Sequence, residues 1–500
     1  MQKDELNNIN NITASDIYAF FRPSKCNLRV YLDFIGEKKC KTSPYEKVIR
    51  DLGKKHEQAH LETLESVKDL STSSLDESIK KTNEYVKQGV EVIFQGALQA
   101  KIQVNGRELV LTGIPDFLIK NGNSYTIRDS KIARRINEQD HPEIIFSLWM
   151  YGLLFENVFK KKPAGLEVHS GNNELVSIHE VKSLLKLGKV LDEMATYRRF
   201  IKEPYSPVGW TKCSGCYFHE HCWSKAEKRK DPALIYGVDQ GLAVELNKNG
   251  INSIDDFVKK YDSKEISEIK RPLGKGFQRV GERADSILRS AYALKENREI
   301  IIGKPNIPDY PNYVIFDLEG LPPQLDEVNK IYLWGTQVFG KRPGEFQGAL
   351  AGFNKDGDKD GWKNFLDNSK SIFLKYGDIP FIHWHHYEKV HVKCYIDRFG
   401  DIGNVGARVL ENLLDILPIT QRTVVLPLSS YSLKEVEKYV GFKRTQSEYG
   451  GDWAMAKFIE ATESKDEKVR QKYLDEIILY NKEDLEATWV VFKWLKQFDL

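Results

Sequence analysis

The segment "REIIIGKPNIPDYPNY", residues 298–313, constrains this chain most, because it carries prolines at 305, 308 and 311. Proline fixes φ and has no backbone N–H, so this density resists both helix and central strand and predicts a linker. The linker divides 500 residues into a part of about 300 and a part of about 190. A chain this long exceeds one hydrophobic core, so two to four domains are expected. Hydrophobic residues at 41% and charged residues at 29% describe a globular chain rather than a disordered one. Net charge is only +2, from 74 Lys+Arg against 72 Asp+Glu, so a groove for a polyanion has to be local. The longest apolar run, "IIFSLWMYGLLF" (144–155), holds 12 residues and reads as a buried helix, too short for a bilayer. The polar start "MQKDELNNIN" lacks the apolar centre of a signal peptide, and a cytoplasmic protein with no membrane partner is expected.

The N-terminal part opens with helical patterns near 15–22 and 44–68. Between about 85 and 130 the pattern turns strand-like, as "VEVIFQGALQA", "RELVLTGIPDFLI" and "SYTIRDSK" separated by "VNGR" and "KNGNS" turns, which predicts an antiparallel meander. A buried helix at 141–158, a strand pair near 164–180 and a long helix near 180–202 follow. Residues 230–300 alternate helical stretches with glycine turns, and "GKGFQRVGERADSILRSAYALKEN" repeats the theme. This suits either a helix-hairpin-helix module, whose turns offer N–H groups to phosphates, or a small helical packing domain. No G-x-x-x-x-G-K-[S/T] is present, so ATP is not implied.

Residues two apart on a strand share a face, so Asp129 and Lys131 of "TIRDSK" point one way, with Ser130 opposite. Asp116 of "GIPDF" closes the preceding strand. Two carboxylates on adjacent strands can hold Mg²⁺ or Mn²⁺ through oxygen, and a lysine beside them can steady charge on a phosphate. Upstream, "GKKHEQAH" (53–60) places His56 in a helical run. Together these motifs resemble the RecB-like nucleases of the PD-(D/E)xK superfamily. The resemblance implies a restriction-endonuclease-like domain over 1–228, with Asp116, Asp129 and Lys131 catalytic and His56 a further metal ligand. Ser147 stands where that family has a glutamine, four residues before Tyr151.

Of six cysteines, Cys213, Cys216 and Cys222 cluster in "KCSGCYFHEHCW", a pattern that suggests metal in a reducing compartment. Cys26, ahead of the nuclease core, is the natural fourth ligand. This split arrangement resembles the iron–sulfur RecB-like nucleases, which implies that Cys26, Cys213, Cys216 and Cys222 hold a structural [4Fe–4S] cluster. A zinc site from the same cysteines, or with His219 or His221 substituting, is the alternative. Cys40 and Cys394 are expected to be ordinary thiols.

The C-terminal part opens with "YVIFDLEG", an apolar strand with Asp317 and Glu319 on one face. "FIHWHHYEKV" reads as a strand ending in aromatics and Glu388, and "YNKEDLEATW" puts Tyr480 and Asp484 on one helix face. Four carboxylates could hold two metal ions roughly 4 Å apart for in-line phosphodiester hydrolysis, with Tyr480 orienting the water. The set resembles the DEDD exonucleases of the ribonuclease H-like superfamily, with Glu388 in place of the usual aspartate and Asp415 supportive rather than catalytic. The expected fold class is therefore α/β: a PD-(D/E)xK domain (1–228), a helix-hairpin-helix-like domain (229–300), a linker (301–312) and a ribonuclease H-like domain (313–500). The implied function is metal-dependent hydrolysis of DNA, single-stranded or unwound, with 3′→5′ polarity at the second site. A helicase would have to act in trans. A nucleic-acid-binding scaffold with one or both sites inactive is the alternative from another class.

Overall fold

The computed structural model describes residues 9–41, 43–179, 183–274, 276–321, 330–354, 356–447 and 449–499. The N-terminal strands are β1 (Asn11–Thr13), β2 (Val67–Asp69), β3 (Val92–Phe94), β4 (Leu98–Val104), β5 (Arg107–Gly113), β6 (Phe117–Asn121), β7 (Ser124–Ser130), β8 (Gly165–His169) and β9 (Leu175–Ser177). They divide between a six-stranded sheet, β2-β3-β6-β7-β8-β9, and a three-stranded one, β1-β5-β4. The helix Pro142–Phe159 packs into their common core, burying Leu148, Met150, Leu154 and Phe155 among Leu111, Ile127 and Leu166. Each such side chain contributes about 1.5–3 kcal/mol by leaving water.

Two expectations change here. The helix predicted over 44–68 stops at Leu61, and after a turn at Ser66 (φ +56°) residues Val67–Asp69 become the edge strand β2. The single strand expected through "RELVLTGIPDFLI" breaks between β5 and β6, whose halves join different sheets. Pro115 cannot donate to a ladder, and it sits at that break. Asp116 therefore precedes β6 rather than closing β5.

In the middle segment the helices Gln240–Lys248, Ile254–Lys260, Ser263–Glu268 and Ala284–Glu296 pack around Leu242, Phe257, Ile266 and Ile287. The expected second helical turn is instead a hairpin of β10 (Lys270–Leu273) and β11 (Gly276–Arg279). Pro272 disfavours helix there, and Gly274 turns with φ +58°.

The predicted linker is docked. β12 (Ile300–Ile301) pairs antiparallel with β18 (Val424–Val425), and Ile307 is buried in the C-terminal core. That domain is built on β13 (Asn312–Leu321), β14 (Lys330–Gly340), β15 (Gln347–Leu350), β16 (Phe381–His383) and β17 (Leu413–Asp415), ordered β15-β14-β13-β16-β17. The first three strands are antiparallel neighbours, while β16 and β17 run parallel to β13. Val314, Phe316 and Leu318 pack with Trp334, Phe365 and Tyr395 on one face. Tyr313 and Ile315 pack on the other with Leu485 and Phe492 of the helix Glu467–Lys496. By the two-residue period, Asp317 and Glu319 share the face of that last helix. The helix Gly451–Glu463 packs along Pro44–Leu61 of the N-terminal domain, with Lys55 2.6 Å from Glu463.

Candidate active sites

In the C-terminal domain, carboxylate oxygens of Asp317, Glu319 and Asp484 lie within 4.8 Å of one another. Among the described residues this is the one group of three or more such ligands drawn so close. A register shift at Glu319/Gly320 breaks the pairing of β13 with β14 beside the site, as bulges near active sites often do. Asp317 faces Gly335 across the ladder, and a Cβ at 335 would lie 1.7 Å from Oδ1 of Asn481. The bare glycine lets the last helix approach the sheet. Asn481 then donates to Asp317 at 2.7 Å and to Glu319 at 3.5 Å.

Burial, followed by the Asp484 charge, pushes Glu319 up to about 8. Burial and then Asp484, Glu319 and Glu388 hold Asp317 well above the usual carboxylate range. Like charges crowded in a dry site resist ionisation unless a cation joins them, which is the electrostatic character of a divalent-metal site with oxygen ligands. The donor set therefore fits Mg²⁺ or Mn²⁺.

Glu388 stands in the first turn of the helix Tyr387–Phe399, one element later than the strand end expected from the sequence. It is buried and accepts from Nδ1 of His383 at 3.2 Å, outside the close trio yet near enough to act on Asp317. Asp415 caps the helix Ile416–Thr423 and accepts from the His385 amide at 3.0 Å, a supporting position. The Tyr480 hydroxyl lies 2.8 Å from Nζ of Lys434. Arg444 bridges Glu437, at 2.7 Å, and Asp484. Arg444, Lys434 and Asn481 were not found from the sequence, because none lies in a motif with the carboxylates it serves.

In the N-terminal domain, Asp116, Asp129 and Lys131 do converge. Lys131 Nζ lies 3.1 Å from an oxygen of each carboxylate. The Asp116 amide donates to Asp129 at 3.1 Å, and the Ser130 amide to Asp116 at 2.7 Å. Burial, then Asp129, pushes Asp116 up to about 7. Burial opposes the Lys131 charge, but both aspartates outweigh it and hold the ammonium above its usual range. Gln95 Nε2 links Glu57 at 2.7 Å to Asp116 at 3.4 Å, so Glu57 is a further carboxylate beside the site. Its signal was its place next to His56. His56 does not join Asp116 and Asp129 within 4.8 Å. Its ring stacks on His169 at 4.5 Å, and His169 stacks on His60 at 3.9 Å. Ser147 is buried on the core helix, and Tyr151 donates to the Ile114 carbonyl at 3.4 Å.

Cys26, Cys213, Cys216 and Cys222 line one small cavity with Phe218 and His219. Burial, then the neighbouring thiols, pushes Cys222 up to about 12, and burial also raises Cys213. Thiols held neutral by burial, as Cys213 and Cys222 are, give up their protons on binding a cation. A tetrahedral zinc would draw four sulfurs to about 3.8 Å from one another, and among the described residues no three of these sulfurs lie within 4.8 Å. His221 is engaged elsewhere, 3.3 Å from Glu37 and 3.4 Å from Glu203. Cys40 and Cys394 do not line the cavity.

Residues 314–496 match the family model of the RNase_H superfamily. The C-terminal domain is therefore ribonuclease H-like, which points to a nuclease-type hydrolase that acts on nucleic acid and uses divalent metal. A solved structure titled "Crystal structure of SSO0001" is similar at 17% identity over 43% of this chain and 87% of that one, with a TM-score of 0.21. No curated protein matches. Among the described residues no helix is long and apolar enough to cross a membrane.

Proposed function

We propose that the chain is a metal-dependent nuclease with two phosphodiester-cutting sites, acting on single-stranded or unwound DNA. The observation that carries this reading is the close trio of Asp317, half-buried, with the buried Glu319 and Asp484, inside a ribonuclease H-like domain. At the second site these three carboxylates would hold Mg²⁺ or Mn²⁺, with Glu388 at the margin. Bound there, the metal supplies Lewis-acid polarisation of the phosphoryl oxygen and an activated water. Tyr480, held by Lys434 at 2.8 Å, would orient an attacking water for a 3′→5′ exonuclease step. Asn481 fixes the rotamers of Asp317 and Glu319.

At the first site Asp116 and Asp129 would hold the metal, His56 would join them only by leaving its stack on His169, and Lys131 would turn from its bridge to the scissile phosphate. Cys26, Cys213, Cys216 and Cys222 hold a [4Fe–4S] cluster that ties the start of the domain to its end. Its role is structural, since ligand binding becomes folding free energy. The deciding assay uses end-labelled single- and double-stranded DNA and RNA with Mg²⁺ or Mn²⁺. Asp129→Ala should remove one activity and Asp317→Ala the other. If the double variant degrades every substrate as fast as wild type, both assignments fall and a binding scaffold remains.

A further inference from the structure

Where the two domains meet, a cleft of about 410 Å³ has His56 of the N-terminal domain on one wall and Tyr332, Phe353 and Phe458 of the C-terminal domain on the other. That volume lies in the range of about 300–1,000 Å³ typical of ligand sites. Tyr332 stacks on Phe458 at 4.4 Å, and Phe458 on Phe353 at 5.9 Å. Arg470 continues the column, its guanidinium 5.0 Å from the Phe353 ring. The column begins in the core, where Tyr332 is 1% exposed, and ends at the cleft, where Phe353 is 36% exposed. Among the described residues the buried Tyr332 hydroxyl has no hydrogen-bond partner. Tyr332 precedes Leu333, which pairs with Glu319 across the β13–β14 ladder, so this end of the cleft adjoins the second site.

Charge also selects the occupant. The two carboxylates on the wall are neutralised, Glu463 by Lys55 at 2.6 Å and Asp358 by Arg398 at 3.0 Å. Arg470 is held by the carbonyls of Ala461 at 3.3 Å and Ser464 at 2.6 Å, which fix its position without cancelling its charge. A stack of flat rings topped by a fixed guanidinium is suited to an unpaired base with a phosphate beside it, and offers nothing to a base already stacked in a duplex.

We infer that this cleft binds a single nucleic-acid strand, one base joining the Phe353–Arg470 column, so that one strand runs between the two cutting sites. The inference rests on the nuclease reading of those sites and adds a path that neither site requires alone. One molecule can then hold a strand end at the second site while the first engages the same strand.

The test measures anisotropy of fluorescein-labelled oligonucleotides, single-stranded and duplex, on the full-length protein in EDTA, so that nothing is cut. Phe353→Ala should weaken single-strand binding roughly tenfold, and Phe353→Glu more, with weak duplex binding unaffected. In parallel, a strand carrying 5-iodouracil is photo-crosslinked to wild type and the adducts are mapped, which needs no variant to fold. Adducts on the peptide containing Phe353 support the cleft. Adducts confined elsewhere, or affinity unchanged in both variants, overturn it. If cleavage still depends on Asp129 and Asp317, the two sites stand without the path. If it depends on neither, the nuclease reading fails on its own account.

Discussion

One missing methyl group at Gly335 governs how closely the helix Glu467–Lys496 approaches Asp317, since a Cβ there would overlap Asn481 Oδ1. Gly335→Ala is expected to destabilise the protein by about 1–3 kcal/mol through overpacking and to displace Asn481 from both carboxylates. Thermal melting checks the first effect. The second appears as a lower rate of the Asp317-dependent nuclease activity proposed above at saturating Mg²⁺; activity equal to wild type would show that Asn481 positions nothing. Asp317→Asn keeps the volume but removes a charge, and should cut that activity by a factor of about 10² or more while leaving the Asp129-dependent activity intact. At this scale the sequence was informative where chemistry follows local spacing. Asp317 with Glu319, and Asp129 with Lys131, follow from a period of two. Arg444 and Lys434 reach Asp484 from 40 and 50 positions away, a closeness that only tertiary packing creates.

Between residues and the whole, the elements show why some expectations moved. Pro115 splits one anticipated strand between two sheets, and this places Asp116 on the backbone turn that Asp129 and Ser130 grip. The residues of "HWHHYEKV" look like a strand ending, yet His385 takes φ +78° and a helix begins at Tyr387. Glu388 is thereby swung toward His383. A lone glutamate in sequence carries no sign of that turn. The clustering of Cys213, Cys216 and Cys222 is a local pattern and so is visible in the sequence, whereas only the fold brings Cys26 to the cavity they line. Its donors set a further expectation. If the cysteines hold the proposed iron–sulfur cluster, anaerobically purified protein should be brown with broad visible absorbance, and Cys216→Ser should bleach it and lower the first unfolding transition. Colourless protein with stoichiometric zinc would replace the cluster by the tetrahedral alternative.

For the molecule as a whole, the sites store electrostatic strain that pH and metal should release together. Asp116 near 7 and Glu319 near 8 both lie above the usual carboxylate range, chiefly through burial and then through Asp129 and Asp484 respectively. The folded metal-free state thus keeps protons that the unfolded chain has shed by about pH 5. More protons on the native state means that stability falls as pH rises. The contribution is complete below the unfolded values, near pH 4, and disappears as pH climbs through 7 to 8. Metal binding demands the deprotonated carboxylates, so its affinity moves the other way, and at a concentration 100 times Kd it adds about 2.7 kcal/mol. Without metal the melting temperature should therefore decline from pH 5 to 8.5. The increase produced by Mn²⁺ should grow over the same range. Asp116→Asn with Glu319→Gln should flatten the metal-free decline, because neither amide titrates. Differential scanning fluorimetry across that pH series, with EDTA or Mn²⁺, reads all three slopes. A metal-free melting temperature that rises with pH, or a Mn²⁺ increment that shrinks, would mean that these buried carboxylates do not share the protons and cations assigned to them.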